Sequence, residues 1–226
     1  EVGSTYIVPS FRLECGEILT QAPVRYQTWG TLNASRNNTL LVCHALTGNH
    51  QLDMWWGELL GPGKAFDTER FFVVCTNTLG SCYGTCSPLS VDPSRADGSA
   101  YGSRFPTNIT IRDAVELQAT LLRDCLGITE IACVVGGSMG GMLALEFCFR
   151  RTSPTIHAAA LLSTNGRHTA WQIGISAVQR QAILADPDFK DGDYTADAPP
   201  TAGIALARQI AMVSYRTHNA YRTKFG

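Results

Sequence analysis

No apolar run in this chain approaches the ~18 residues needed to cross a bilayer, so a membrane-spanning helix is excluded. Charge is scarce and balanced: Asp, Glu, Lys and Arg make up 16% of the residues and the formal net charge is −1. Without a basic excess there is no electrostatic reason to expect nucleic acid or an anionic membrane as partner. No basic stretch runs into an apolar core at the start, so a signal peptide is not expected. Metal signatures are missing as well. The spacing Cys82-x3-Cys86 is loose and has no histidine pair beside it, which makes a poor zinc site, and no metal is expected. Cys43, Cys75 and Cys133 lie in strand-like apolar runs, and Cys125 and Cys148 in helix-like ones, where a reduced thiol behaves as a small hydrophobe. Reduced thiols fit a cytosol-like compartment, and a cytoplasmic location is the expectation. The acceptor sequons at Asn37 and Asn108 then carry no meaning. Internal repeats, low-complexity tracts and interdomain linkers are also absent.

What is present is a globular chain of 226 residues, 45% hydrophobic, long enough for one α/β domain or most of a larger one. Residues 40–44, 71–76, 132–136 and 158–163 are short apolar runs that read as buried parallel strands. The leading segment "FRLECGEILTQAPVRYQTWGTLN" alternates and carries Pro23 and Gly30, which predicts an antiparallel hairpin. Residues 110–126 read as an amphipathic helix, with Thr110 as N-cap, Asp113 three positions on, an apolar stripe of Ile111, Val115, Leu117, Leu121 and Leu122, and Gly127 as the stop. A second helix, 139–150, begins directly on a glycine-rich loop. Residues 80–106 have no period and form a long loop, a feature usually functional or mobile inside a compact domain. Beyond Ser163 two helical segments, 171–185 and 203–215, flank the acidic turn "DPDFKDGDYTADAPP". The expected organisation is a core over 1–165, with a mostly parallel sheet and helices on both faces, followed by a helical cap over 166–226.

The glycine-rich loop, "VVGGSMGGMLALEF", invites a phosphate cradle or a nucleophile. A dinucleotide fingerprint needs glycines at positions one, three and six. From Gly136 the third position is Ser138, and from Gly137 it is Met139, so the fingerprint fails from both. A P-loop must end in Gly-Lys-Ser/Thr, and Gly140-Gly141-Met142 stands there instead. The run Gly136-Gly137-Ser138-Met139-Gly140 does match G-x-S-x-G, set between a buried-type strand and a helix. A serine on so sharp a turn is strained and needs neighbours without side chains, and the helix start aims free N–H groups at a developing oxyanion. Ser138 is therefore the candidate nucleophile, against the plainer reading of a structural glycine turn. The segment "LLVCHALTGNHQ" follows an earlier strand and is placed to supply the other half of an oxyanion hole, the backbone N–H of Leu46 pairing with that of Met139. Taken alone, it would be an ordinary strand-exit turn with His44 and His50 as polar loop residues.

The stretches "HALTG", "NTLGSCYGTCSP", "FPTNITIRDAVELQATLLRDCLGI", "VVGGSMGGMLALEF", "VQRQAILADPDFKDGDY" and "GIALARQIAMVSYRT" together resemble the homoserine O-acetyltransferases, in the right order along nearly the whole chain. The resemblance implies the α/β-hydrolase fold and a ping-pong acyl transfer in methionine biosynthesis. Ser138 takes the acetyl group from acetyl-CoA, a co-substrate and not a bound cofactor, and passes it to the hydroxyl of L-homoserine. Arg208 matches the family arginine that binds the amino-acid substrate, where a guanidinium fork suits a carboxylate. Read without the family, it is a solvated charge on a helix face. Asn77 and Tyr215 lie in matching motifs without a catalytic role. Family members pair through the cap helices, so a homodimer is the expectation.

One departure stands out. The family's triad Asp and His follow the cap, and this sequence stops at "YRTKFG", inside the cap-like region. His157, His168 and His218 are the only histidines after Ser138, and none matches the family position. The chain is thus expected to be an N-terminal portion lacking the triad Asp and His and the last strands. It is expected to be nearly inactive alone, because an unactivated serine is a poor nucleophile. The alternatives are serine O-acetylation, homoserine O-succinylation or deacetylcephalosporin C acetylation, a serine hydrolase of the same fold, and a non-enzymatic half that needs a partner chain.

Overall fold

Alternation shapes the first part of the chain. β1 (Ser4–Arg12) and β2 (Ile18–Trp29) pair antiparallel, and their buried residues Val8, Phe11, Leu19, Ala22 and Val24 all join one hydrophobic core cluster. Pro23 lies opposite Ile7, in the part of β2 that β4 (Phe72–Thr76) does not reach; that second pairing begins at Tyr26. Gly30, at φ +76°, ends β2 where a side chain would strike the backbone carbonyls of Phe71 and Thr68. These coordinates are a computed structural model, which describes residues 2–195 and 197–226. Ala196 of the acidic turn lies outside the described residues.

The chain forms two units, Glu1–Gly166 and Arg167–Gly226. The first is built on a six-stranded sheet. β3 (Thr39–Cys43), β6 (Cys133–Gly137) and β8 (Ala159–Leu162) join β1, β2 and β4 in the order β1-β2-β4-β3-β6-β8, parallel from β4 onward. β5 (Glu130–Ile131) and β7 (Thr155–Ile156) form a separate parallel pair. The two-residue side-chain period splits each central strand between two cores. Leu41, Cys43, Val74 and Val134 face α2 (Ile111–Thr120) and α3 (Met139–Phe149), while Leu40, Val42, Val73, Cys75 and Val135 face the other way, toward Leu52, Trp55 and Trp56 of α1 (Leu52–Trp56).

The helix expected over 110–126 starts at Thr110, whose hydroxyl accepts from the Asp113 N–H (3.1 Å) while the Asp113 carboxylate accepts from the Thr110 N–H (2.9 Å). It does not run evenly to its end. Regular α geometry stops at Thr120 and Leu121–Cys125 forms a π turn, a change no residue in that apolar stretch announces. Ile111 departs from the expected stripe and is exposed, whereas Val115, Leu117, Leu121 and Leu122 are buried. Gly127, at φ +64°, is the stop, with the Arg36 guanidinium occupying the space of a side chain and donating to the Leu126 (3.1 Å) and Gly127 (3.2 Å) carbonyls. The fourth apolar run also departs from expectation. Among the described residues it forms the edge strand β8, paired with β6, and Leu161 and Leu162, which point to opposite faces of the sheet, are 41% and 47% exposed.

The second unit is helical: α4 (Ala170–Leu184), α5 (Thr201–Ser214) and α6 (His218–Phe225). Thr169 and Gln172 cap α4 reciprocally. Asp186 ties the following turn to the start of α5, its carboxylate accepting from Gly203 N–H (2.6 Å) and Asp188 N–H (3.0 Å). Gly203 permits that approach: a side chain there would come within 2.6 Å of the Ala182 carbonyl of α4. No described helix is long and apolar enough to cross a membrane.

Candidate active site

Ser138 sits between the last residue of β6 and the first of α3 at φ +55°, ψ −122°, a backbone conformation that costs a non-glycine residue on the order of 1–3 kcal/mol. The glycines around it are explained by what a side chain would meet. At Gly136 it would collide with the Gly140 carbonyl, and at Gly140 with the carbonyl of Cys43 at the end of β3. The Ser138 side chain is exposed, and its hydroxyl has no hydrogen-bond partner among the described residues. Trp56 of α1 flanks the elbow, its indole 3.8 Å from where a side chain on Gly137 would begin. It stacks on Phe66 with centroids 5.9 Å apart.

The candidate oxyanion donors come from neighbouring strand ends. β3 pairs with β6 up to Cys43–Gly136, and a side chain on Gly140 would lie 2.8 Å from the His44 carbonyl. The loop after β3 turns tightly, the Gly48 N–H donating to the Ala45 carbonyl at 2.8 Å. Among the described residues neither the Leu46 nor the Met139 backbone N–H has an acceptor. At Met139 the reason is its place as first residue of α3, where helical N–H groups are left over.

Among the described residues no histidine of this unit is hydrogen-bonded to Ser138. His44, although adjacent to the elbow, is buried, and both ring nitrogens are engaged. Nε2 accepts the Thr78 N–H at 3.0 Å, which leaves the proton on Nδ1 to donate to the Ala45 carbonyl at 2.8 Å. Burial holds its pKa below the ordinary 6.5, against the opposing pull of the Ala45 carbonyl. His50 is buried with its N–H donating to Asn77 Oδ1 (2.6 Å) and its Nε2 on the Val2 carbonyl (3.0 Å). His157 pairs with Glu130 (3.0 Å) and precedes β8, so it lies at the opposite end of the parallel strands from Ser138, which follows β6. His168 and His218 belong to the helical unit, as does Arg208, an exposed residue of α5.

Asn77 matters more to the site than its sequence suggested. Fully buried, its amide accepts from the backbone of His50 and donates to the Tyr83 carbonyl, so one side chain joins the oxyanion-loop segment to the loop after β4. A cavity of about 610 Å³ opens beside that join, lined by Arg25, Gln51, Tyr83 and Ser87 among others. Ser138 is not among the residues that line it. No group of three or more His, Cys, Asp or Glu side chains among the described residues could hold a metal ion. All eight cysteines are free thiols. Burial pushes Cys43 up to about 12 and Cys86 up to about 11, which keeps both protonated and unreactive.

Comparison with known proteins bears on the fold and the family. The chain is 50% identical to the homoserine O-acetyltransferase of Salinibacter ruber across 100% of its own length and 64% of that protein. Among solved structures, homoserine O-acetyltransferase from Bacillus anthracis superposes with a TM-score of 0.84 at 28% identity, covering 98% of this chain and 62% of that one. An acetylester hydrolase from Corynebacterium glutamicum superposes with a TM-score of 0.87 at 27% identity, covering 98% and 61%. The chain thus spans less than two thirds of the length of these relatives. The family model described as alpha/beta hydrolase fold matches residues 38–224, from the strand before the candidate oxyanion loop to the last helix. With its sheet order, its strained serine between β6 and α3, and this match, the chain belongs to the α/β-hydrolase fold family.

Proposed function

We propose that the protein containing this chain is an acyltransferase that moves the acetyl group of acetyl-CoA to the hydroxyl of L-homoserine, a step toward methionine. The observation that carries the reading is Ser138, exposed at positive φ, on a chain similar from end to end to homoserine O-acetyltransferases. In the first half-reaction Ser138 Oγ bonds to the thioester carbonyl carbon, the carbon–sulfur bond breaks, and CoA leaves as the thiol with the serine proton. In the second, the homoserine oxygen bonds to the acetyl carbon, the acyl–serine bond breaks, and Ser138 regains a proton. The Leu46 and Met139 N–H groups face the carbonyl oxygen as it gains charge in both halves. Arg208 holds the homoserine carboxylate through its two-pronged guanidinium.

The base and its orienting acid belong, in this reading, to chain beyond the present one. β8 supports it: a parallel strand normally has both faces covered, and β8 leaves its leucines open and one edge unpaired. Further strands pair there and bring the Asp and His of the triad. The co-substrates are small molecules, no tightly bound cofactor takes part, the protein works in the cytoplasm, and two copies associate through the cap helices. The similarity to an acetylester hydrolase favours a second reading, in which water replaces homoserine as acceptor.

The test uses the full-length protein with acetyl-CoA, with and without L-homoserine. O-acetylhomoserine should form much faster than free acetate, and Ser138→Ala should abolish it. Acetate as the main product would establish the hydrolase. Arg208→Ala should slow the homoserine step while acetyl-enzyme formation keeps its rate. Equal loss in both half-reactions contradicts the carboxylate role.

A further inference from the structure

The pattern G-x-S-x-G ends at Gly140, yet Gly141 is also glycine, and the reason lies across the sheet. A side chain on Gly141 would begin 2.5 Å from Cβ and Cγ2 of Thr164 and 2.8 Å from its Oγ1. Thr164 follows β8 and is steered there by Ser163, a non-glycine residue at φ +47°. From that position its hydroxyl donates to the Ser138 carbonyl at 2.8 Å. The same carbonyl accepts more distant bonds from Gly141 N–H (3.0 Å) and Met142 N–H (3.3 Å), and the Ser138 N–H donates to the Leu162 carbonyl at 3.0 Å. The β8 exit therefore grips the nucleophile's backbone on both sides.

We propose that Thr164 is a positioning residue for the oxyanion hole, deepening the acyl-transfer reading on which it rests. The Ser138 carbonyl and the Met139 N–H belong to one peptide plane, and in a trans peptide they point in opposite directions. Fixing the carbonyl with a hydroxyl therefore fixes the direction of the N–H that meets the developing oxyanion. The bond also polarises the peptide, making that N–H a better donor. Two residues at unfavourable φ, Ser138 and Ser163, persist because these bonds hold them against each other.

The experiment compares Thr164→Val, which keeps the shape and removes the hydroxyl, with Thr164→Ser, which restores it, in the full-length protein. Removing an oxyanion donor outright costs about 10²–10³-fold in kcat, so a loosened one should cost about 10-fold. Thr164→Val should lose that factor in acyl-enzyme formation with KM unchanged. It should lose the same factor in affinity for an alkyl boronic acid, whose adduct with Ser138 mimics the tetrahedral state, while affinity for CoA stays constant. Thr164→Ser should recover both, which separates the role from general loosening of the fold. A Thr164→Val protein with wild-type acylation rate and boronate affinity overturns the proposal, as does a Thr164→Ser protein as impaired as Thr164→Val. The boronate measurement needs only a reactive Ser138. If acetyl-CoA proves the wrong donor, the acetyl-transfer reading falls and Thr164 is still tested.

Discussion

At the scale of single residues, the elbow is a set of close contacts that only glycine admits. Gly140 faces backbone carbonyls at the end of β3, which cannot move without disturbing the sheet. Gly140→Ala should therefore destabilise the protein by about 3 kcal/mol, at the upper end for overpacking, read as a lower urea midpoint. His44 supplies a pH dependence. Its folded pKa is held below 6.5 by burial, so above that value both folded and unfolded forms are neutral and the group contributes no slope. As the pH falls through 6.5 the unfolded chain takes up a proton that the folded one refuses, and stability drops. Urea midpoints at pH about 7.5 and about 5.5 should show that drop in the wild type and a smaller one in His44→Gln. Gly136, Ser138 and Gly140 were legible in the sequence because their spacing carries its own steric reason. Thr164 was not, because its partner lies 26 positions away and meets it only through the β6–β8 pairing. Gly141 was its one trace in the sequence, a glycine beyond what the pattern requires.

Elements were legible where their ends carry local chemistry. The α2 start was marked by Thr110 and Asp113, and both capping bonds form. Thr110→Ala should cost about 1 kcal/mol in a denaturant titration, the usual worth of an N-cap. The far end of the same helix changes to a π turn without any glycine or proline, so periodicity alone could not place it. β8 shows the converse limit. "AALL" is apolar enough for a strand covered on both faces, and composition does not say whether neighbours exist to cover it. The short α1 escaped notice because its five residues carry little period, although Trp56 ends beside the nucleophile.

At the scale of the whole molecule, strand order was beyond the sequence, since β4 inserts between β2 and β3 and no local pattern dictates that crossing. The class was legible, because buried strands alternating with helices leave few other architectures. One unit carries the strained serine and the Leu46 and Met139 N–H groups, and the other carries Arg208. Everything in the proposed reaction passes through a covalent acetyl group on one oxygen, Ser138 Oγ. The most direct measurement incubates full-length protein with acetyl-CoA alone, digests it, and locates the acetyl group by peptide mass. Acetylation is expected on Ser138 and should disappear when L-homoserine is added, with O-acetylhomoserine in its place. An unmodified Ser138 in a protein that still converts homoserine at full rate would contradict it.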